Sequence, residues 1–291
     1  MNRALEVLAT GPLTLVEDLG RPGYAAVGVP RSGAADRAAY LLAGRLLGEP
    51  VGRAALECTL GGLVVRARGS LTVVVTGAPA PATLDGRPVG HAAPLHLPDG
   101  AVLALGMPPT GLRAYLAVRG GIDVAPVLGS RSTDILSGLG PAPVRSGALL
   151  PVGEPGPGGP SVDVAPVAAP PGGTVTLRLT PGPRLDWIAQ ARRLVDTPWI
   201  VSSRCDRVGV RLGGPALARA AAWADAELPS EGVVRGAVQV PADGRPIVFL
   251  ADHPVTGGYP VVAVVEAADV DRVAQCRPGQ PVRLAWTPAW P

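Results

Sequence analysis

The chain has 291 residues, a formal net charge of +3 and 47% hydrophobic residues, so a sizeable folded core is expected and intrinsic disorder is excluded. Only 3% of the residues are aromatic and no basic run is longer than Arg192-Arg193, which excludes an ordinary nucleic-acid-binding surface. The N-terminus lacks a signal-peptide pattern, no apolar run is long enough for a membrane span, and the three cysteines are too far apart for a zinc or disulfide framework; we expect a cytoplasmic protein without a metal.

The first part of the chain is predicted to consist mainly of strands around one helix. Residues 3–8 and 13–16 are predicted strands on either side of a Gly-Pro turn. Apolar residues then recur at helical spacing between 34 and 47, which predicts a helix. From 54 to 150, short apolar runs alternate with glycine-containing turns, a pattern typical of a barrel or sandwich.

A stretch rich in proline and glycine divides the chain. Residues 156–173 are predicted to be a stiff linker between an N-terminal half, 1–155, and a C-terminal half, 174–291. The second half again favours strands, with one predicted helix at 184–195. Its predicted strands are 174–179, 237–240, 247–251, 261–265 and 282–286.

Every basic side chain other than histidine is an arginine, because the sequence contains no lysine. This composition excludes a Schiff-base lysine, a catalytic lysine base and a P-loop lysine. If the reaction uses ATP, we expect another chain to bind most of the phosphates.

Two polar loops of the first half contain candidate ligand-binding residues. Arg21 lies in a glycine-rich segment ahead of the predicted helix, where free N–H groups and a guanidinium favour an anion. Arg131, Ser132 and Asp134 can together hold a polar ligand. Each loop has an alternative interpretation: the first can be a salt-bridged helix cap, and the second can bind only its own backbone.

In the second half, arginines cluster around Asp206, and Arg207 is a candidate residue for binding an anion or for contacting another subunit. Cys205 is interpreted as a small buried hydrophobic residue rather than a nucleophile, since a histidine partner cannot be identified from sequence. His253 is interpreted as a turn residue in preference to a proton shuttle.

The strongest candidate site follows the predicted strand 247–251. Asp252 closes this strand and can accept a hydrogen bond from a substrate N–H or act as a base. Gln239 can match its amide to a small amide substrate. Beyond Asp252, the backbone can approach a ligand closely at a glycine-containing hinge formed by Gly257, Gly258 and Tyr259.

Taken in order, the polar segments resemble one family, that of allophanate hydrolase subunit 2, which includes the C subunit of 5-oxoprolinase, the Kip antagonist protein and half of the carboxyltransferase domain of urea carboxylase. The matching stretches, between residues 17 and 265, are EDLGRPGY, GVPRSGAAD, ALECTLGG, YLAVRGGIDV, LGSRSTD, CDRVGVRL, SEGVVRGAVQVP and ADHPVTGGYPVVAVV. The resemblance implies a mainly β fold with a few helices, arranged as two cyclophilin-like β-barrel halves. It also implies that the loop at Ser230 neighbours Gln239 and Asp252.

The resemblance further implies that the chain works in a complex. Its partners would be an allophanate hydrolase subunit 1-type chain and a LamB/YcsF-type chain, and the complex would use ATP to open 5-oxo-L-proline to L-glutamate. One alternative is a biotin-dependent carboxyltransferase subunit that acts on urea or a similar amide. A second alternative is a regulatory binding protein of the Kip type. In the 5-oxoprolinase interpretation, Asp252→Asn is expected to fold normally and to lose most activity.

Overall fold

The computed structural model describes residues 3–287, which pack as two compact units. Unit 1 contains residues 3–21, 32–134 and 138–170, and unit 2 contains 22–31, 135–137 and 171–287. Each unit is therefore assembled from separate stretches of the chain, because two short segments of the N-terminal part group with unit 2. The sequence had predicted two continuous halves.

Unit 1 contains two antiparallel sheets. The six-stranded sheet has the order β11-β1-β4-β9-β6-β7, and the five-stranded sheet has the order β2-β3-β10-β5-β8. The strands are β1 Ala4–Thr10, β2 Leu13–Glu17, β3 Ala55–Thr59, β4 Leu63–Arg68, β5 Leu71–Gly77, β6 Ala82–Leu84, β7 Arg87–Val89, β8 Leu95–Leu97, β9 Val102–Leu105, β10 Arg113–Val118 and β11 Leu149–Pro151.

The two sheets of unit 1 share one apolar core. Leu63 and Val65 project from β4 at alternate positions, and Val73 and Val75 do the same from β5. Since side chains of a strand alternate between its two faces, each sheet directs one apolar face into this core. The mostly-strand prediction for this part of the chain is confirmed.

Helix α1, Arg37–Leu46, packs against the other face of the five-stranded sheet, where Tyr40 and Ala43 contact a cluster that includes Val74 and Tyr115. Its first turn is capped because the Asp36 carboxylate accepts a hydrogen bond from Ala39 N at 3.0 Å. The helix predicted between 34 and 47 is therefore confirmed, with Asp36 as its N-cap.

Unit 2 contains a closed barrel of seven strands in the order β12-β19-β16-β17-β14-β13-β20. The barrel closes through the parallel pairing of β12 with β20, while its other strand pairs are antiparallel. The strands are β12 Val175–Pro181, β13 Trp199–Cys205, β14 Gly209–Gly213, β15 Glu231–Gly232, β16 Ala237–Gln239, β17 Ile247–Phe249, β18 Thr256–Gly257, β19 Val261–Val265 and β20 Pro281–Trp286, with β15 and β18 forming a separate ribbon. The predicted mainly β fold with barrel architecture is confirmed.

The prediction of a helix at 184–195 is wrong. The segment forms a 3-10 turn at Leu185–Trp187 and a single helical turn, α2, at Arg193–Asp196. Between them Ile188 is extended and forms a bridge with Arg219. Tertiary pairing has overridden helical spacing here, because the apolar side chains are buried as separate contacts and not as one helix face.

Several elements of unit 2 were not predicted as such: the strands β13 and β14, the short strands β15 and β18, and the helix α3, Ala267–Val273. Buried residues alternate along both strands, at Trp199 and Val201 in β13 and at Val210 and Leu212 in β14. The arginines in these segments made the alternation hard to recognise in the sequence. Among residues 3–287, no helix is long and apolar enough to cross a bilayer.

Candidate functional site

A buried ion pair lies in unit 2, just outside the point where β14 begins and β17 ends. The two strands are antiparallel, with Gly209 opposite Phe249, and the pairing continues beyond them through a hydrogen bond from Asp252 N to Arg207 O at 3.0 Å. Cross-strand neighbours lie close enough for their side chains to interact. The barrel thereby brings together two residues that are 45 positions apart in sequence.

The Arg207–Asp252 pair is bidentate. Arg207 Nε donates to Asp252 Oδ2 at 2.9 Å and Arg207 Nη2 donates to Asp252 Oδ1 at 3.0 Å, while both side chains are at most 1% exposed. Asp252 Oδ2 also accepts from Ile135 N at 3.1 Å. The carboxylate thus accepts at least three hydrogen bonds from protein donors, which suits a residue that positions its surroundings. The base role of Asp252 stays a prediction.

Gln239 lies at the end of β16, next to a bulge where the pairing with β19 shifts between Val238 and Gln239. Its side chain is 3% exposed, and Nε2 donates to Tyr259 O at 3.0 Å. No hydrogen bond from a described residue to Oε1 is present. A bulge commonly redirects a side chain beside a functional site. The Gln239 amide nitrogen is therefore held by Tyr259 O, while Oε1 can still accept a hydrogen bond.

Gly257 permits this arrangement. A Cβ at Gly257 would lie 2.6 Å from Gln239 Nε2, whereas a Cβ at the adjacent Gly258 would approach only Leu228 O, at 3.5 Å. The first contact is shorter than van der Waals packing allows, and the second is ordinary. The glycine hinge predicted from the sequence thus has one position, Gly257, at which an added Cβ would displace the amide end of the Gln239 side chain.

We expect Gly257→Ala to lower the free energy of unfolding by roughly 1–2 kcal/mol, because the buried Gln239 amide must give up its bond to Tyr259 O. The matched variant Gly258→Ala should stay within about 0.5 kcal/mol of the parent chain. Urea denaturation of both variants measures the difference. Equal effects would show that the amide does not depend on Gly257.

The ribbon of β15 and β18 places Glu231 opposite Gly257. Arg184 forms a two-pronged contact with Glu231, and its hydrogen bond holds the pKa of that carboxylate below its usual value. Ser230 is exposed immediately before this ribbon, and Tyr259 is 50% exposed after it. The predicted substrate contacts of Ser230, Gly258 and Tyr259 stay predictions, and their exposure leaves them open to a ligand.

His253 directly follows the turn at 251–252, and Cys205 is the last residue of β13. His253 Nδ1 lies 2.7 Å from Pro254 O and donates to it, which fits the turn interpretation and leaves Nε2 at the other side of the ring. Cys205 is half-buried at the end of β13, opposite Val210. The local contact of His253 agrees with the structural interpretation that the sequence favoured, whereas Cys205 is not the buried residue that the sequence predicted.

In unit 1, the loop residues Ser130 and Ser132 converge on Asp18, a residue that the sequence did not mark as part of the site. Asp18 Oδ1 accepts from Ser130 Oγ and from Ser132 Oγ, each at 2.6 Å. Asp18 Oδ2 accepts from Arg131 N at 2.6 Å. Asp18 is 6% exposed, so these hydrogen bonds fix the loop on its buried side. The only sequence signal for this role is an acidic residue in a glycine-rich segment.

Arg131 directs its side chain away from Asp18. Its Nε donates to Val124 O at 2.7 Å and its Nη2 binds Asp123 Oδ1 at 2.7 Å, with 32% of the side chain exposed. These contacts correspond to the alternative in which the loop binds only its own groups. Substrate binding by Arg131 stays a prediction.

Arg21 is 1% exposed and its guanidinium donates to backbone carbonyls, from Nε to Val127 O at 3.4 Å and from Nη2 to Ser132 O. Gly140 packs tightly against this contact, since a Cβ there would lie 2.0 Å from Ser132 O and 3.1 Å from Arg21 Nη2. Asp134 is buried in the same loop. Unit 1 therefore brings Arg21 and Ser132 together, with the guanidinium bound to protein acceptors and not presented to solvent.

The described residues include no group of three or more His, Cys, Asp or Glu side chains placed to bind a metal ion. The sequence contains no lysine, and the guanidinium groups of Arg21 and Arg207 are buried against acceptors of the protein. Binding of ATP mainly by another chain stays a prediction.

Comparison with known proteins places most of the chain in one family. Residues 27–286 match the family described as carboxyltransferase domain, subdomain A and B. The C subunit of 5-oxoprolinase from Escherichia coli (strain K12) is 38% identical over 285 residues, which cover 96% of this chain and 90% of that protein. The urea amidolyase of Lachancea kluyveri is 31% identical over 97% of this chain, which is 17% of that protein.

Solved structures show the same likeness. The crystal structure of TTHA0988 in space group P212121 superimposes with a TM-score of 0.87 at 35% identity, covering 98% of this chain and 56% of the TTHA0988 chain. The K. lactis urea amidolyase superimposes with a TM-score of 0.87 at 29% identity, covering 97% of this chain and 18% of that one. The resemblance read from the sequence motifs is confirmed.

Proposed function

Since this chain belongs to the carboxyltransferase domain family of subdomains A and B, we propose that it is a subunit of a multi-subunit, ATP-dependent 5-oxoprolinase that opens 5-oxo-L-proline to L-glutamate. The observation that carries the proposal is the 38% identity to the Escherichia coli 5-oxoprolinase C subunit over 96% of the chain. The corresponding 5-oxoprolinase protein from Haemophilus influenzae is 28% identical over the same share of the chain.

The contribution of this chain to the reaction would be recognition of the lactam. Gln239 Oε1 would accept the ring N–H, because Nε2 is already held by Tyr259 O. The exposed backbone at Gly258 and Tyr259 would line the approach. The ion pair of Asp252 and Arg207 would hold the ends of the barrel strands in place next to this segment. If Asp252 also acts as a base, it would do so in addition to this positioning role.

ATP would be bound mainly by partner subunits, one of the allophanate hydrolase subunit 1 type and one of the LamB/YcsF type. The absence of lysine from this chain supports that division. When bound, ATP supplies the energy that makes ring opening favourable and the phosphate that activates the amide. The chain would therefore act in the cytoplasm as one component of a heteromer.

Carboxyl transfer is the second candidate function, and the family description together with the urea amidolyase relatives favours it. Here biotin would deliver a carboxyl group to urea or a similar amide. Gln239 suits this role equally, since urea and a lactam both present a planar N–H beside a carbonyl. The higher identity to the 5-oxoprolinase relative, 38% against 31%, places the first candidate ahead.

We expect the purified chain alone to turn over neither 5-oxoproline nor ATP, and the complex reconstituted with both partner types to release glutamate from 5-oxoproline and ATP. Assays of the same complex with urea and carboxybiotin test the second candidate. Gly257→Ala, which displaces the Gln239 amide, should lower turnover in whichever reaction is correct, and Gly173→Ala, where a Cβ would meet nothing within 4 Å, serves as its control. Turnover by the isolated chain would refute the multi-subunit proposal.

A regulatory role of the Kip type predicts a different result. A binding protein would bind its partner with no turnover of either substrate pair, and Gly257→Ala would leave that binding unchanged unless the hinge lies in the interface. The same reconstitution therefore separates all three functions.

A further inference from the structure

An apolar cavity lies in unit 1, at the C-terminal half of helix α1. Its volume is about 200 Å³, and its walls are formed by α1, the loop that follows it and the end of β10. Tyr40, Leu47, Ala55 and Val118 are buried wall residues, and Val51 is 73% exposed. None of these residues takes part in the contacts of Gln239, Asp252 or Asp18 described above.

Gly44 leaves this cavity open. It lies in the interior of α1 and lines the cavity, and a Cβ built on it would meet no heavy atom within 4 Å outside its own helix turn. Glycine in a helix interior is less favourable than alanine, because its backbone loses more conformational freedom on folding. Its backbone is not left-handed, so no conformational requirement explains the residue. Glycine here therefore preserves space at the expense of helix stability.

The polar groups around the cavity are bound to the protein, with one exception. Tyr40 Oη donates to Arg53 O at 2.7 Å. Glu49, whose side chain is 1% exposed, lies 3.4 Å from Arg53 Nε and accepts from Gly120 N at 3.2 Å. Arg45, also in the lining, is exposed and makes no ion pair or side-chain hydrogen bond within the described residues. The lining of this apolar space thus includes one arginine without an ion pair among the described residues, and the carboxylate of the lining is already paired.

We propose that this cavity binds a small ring compound that carries an anionic group, such as a ring carboxylate. An apolar cavity of about 150 Å³ in another protein accommodates benzene, so a single six-membered ring fits the available space. The ring would contact Leu47, Ala55 and Val118, and the anionic group would pair with Arg45. The network of Glu49 with Arg53 and Gly120 holds the loop wall in place before the ligand arrives. This inference does not depend on the proposed reaction.

Benzoate is the probe for this site, with toluene and benzamide as uncharged counterparts, and binding to the full chain is measured by calorimetry and by ligand-observed NMR. We expect saturable benzoate binding that is at least 5-fold tighter than that of either neutral compound. Arg45→Gln should remove this preference, while the matched exposed substitution Arg87→Gln in the same unit should leave it intact.

Gly44→Leu should weaken benzoate binding at least 10-fold by filling the cavity. It should also raise the melting temperature by about 2–4 °C, as should Gly44→Ala, because each removes a helix-interior glycine. A folded Gly44→Leu variant that binds benzoate as the parent does would overturn the site. So would the absence of saturable binding to the parent chain, and equal binding of toluene and benzoate would overturn the anionic part of the proposal.

Discussion

Asp252→Asn is expected to lower the free energy of unfolding by about 3–5 kcal/mol, since it removes one partner of a buried ion pair. Arg207 is 1% exposed, and its buried guanidinium would lose the charged partner to which it donates two hydrogen bonds. The asparagine amide would also place N–H donors where Arg207 already donates. This expectation replaces the one from the sequence alone, in which the same variant folds normally.

The double variant Arg207→Met/Asp252→Asn separates the ion pair from the position itself. It removes both charges and keeps an acceptor oxygen for Ile135 N, so we expect it to be more stable than Asp252→Asn alone. The exposed pair of Arg245 and Asp243, 3.9 Å apart, provides the control, and Asp243→Asn should change stability by less than about 1 kcal/mol. Urea denaturation measures all three.

The same variants decide what Asp252 does. An Asp252→Asn chain within about 1 kcal/mol of the parent would show that the pair contributes little to the fold. If that stable variant also lost turnover in the reconstituted complex, Asp252 would act as the base predicted from sequence. Loss of stability and turnover together, with turnover restored in the double variant, would instead establish a positioning role.

Gly140→Ala is expected to be the second most damaging substitution, with a loss of roughly 2–4 kcal/mol. Gly140 has a φ of +91°, a conformation that strains any residue with a Cβ. The added Cβ would in addition lie 2.0 Å from Ser132 O, which is a backbone atom and cannot rotate away. The loop must move, and the contact between Ser132 O and Arg21 is lost with it.

Gly138→Ala is the matched control for this prediction. Gly138 has a φ of +70° in the same loop, but a Cβ there would meet nothing within 4 Å. Its substitution should therefore cost only the backbone strain, about 1–2 kcal/mol. Thermal denaturation of both variants gives the comparison. A Gly140→Ala chain no less stable than Gly138→Ala would show that the close approach to Ser132 is unimportant.

The outcome at the candidate site shows why residue type predicts less than residue position. The sequence marks Arg21, Ser132, Arg207 and Asp252 as polar residues in glycine-rich loops, a correct reading of their types. It does not show that Arg21 and Arg207 bind acceptors of the protein itself, because those acceptors are up to 111 residues away. Asp18 was missed for the same reason: its partners Ser130 and Ser132 come from a distant loop.

The sequence by itself determined the elements whose burial follows a simple period. Alternating apolar residues produced β12, and short continuous apolar runs produced β5, β10 and β19. Apolar residues at helical spacing, which follow an Asp N-cap, produced α1. The ordered motifs also determined the family. These features are local, since each depends on neighbours within one strand or one helix turn.

Only the tertiary structure decided the rest. It closed the barrel of unit 2 through the parallel pairing of β12 and β20, and it divided the predicted helix at 184–195 by pairing Ile188 with Arg219. It also paired Asp252, which the sequence presents only as a carboxylate at a strand end, with Arg207. The physical reason is common to all three: long-range pairing satisfies backbone and charged groups that no neighbour in sequence can reach, and these contacts outweigh local preference.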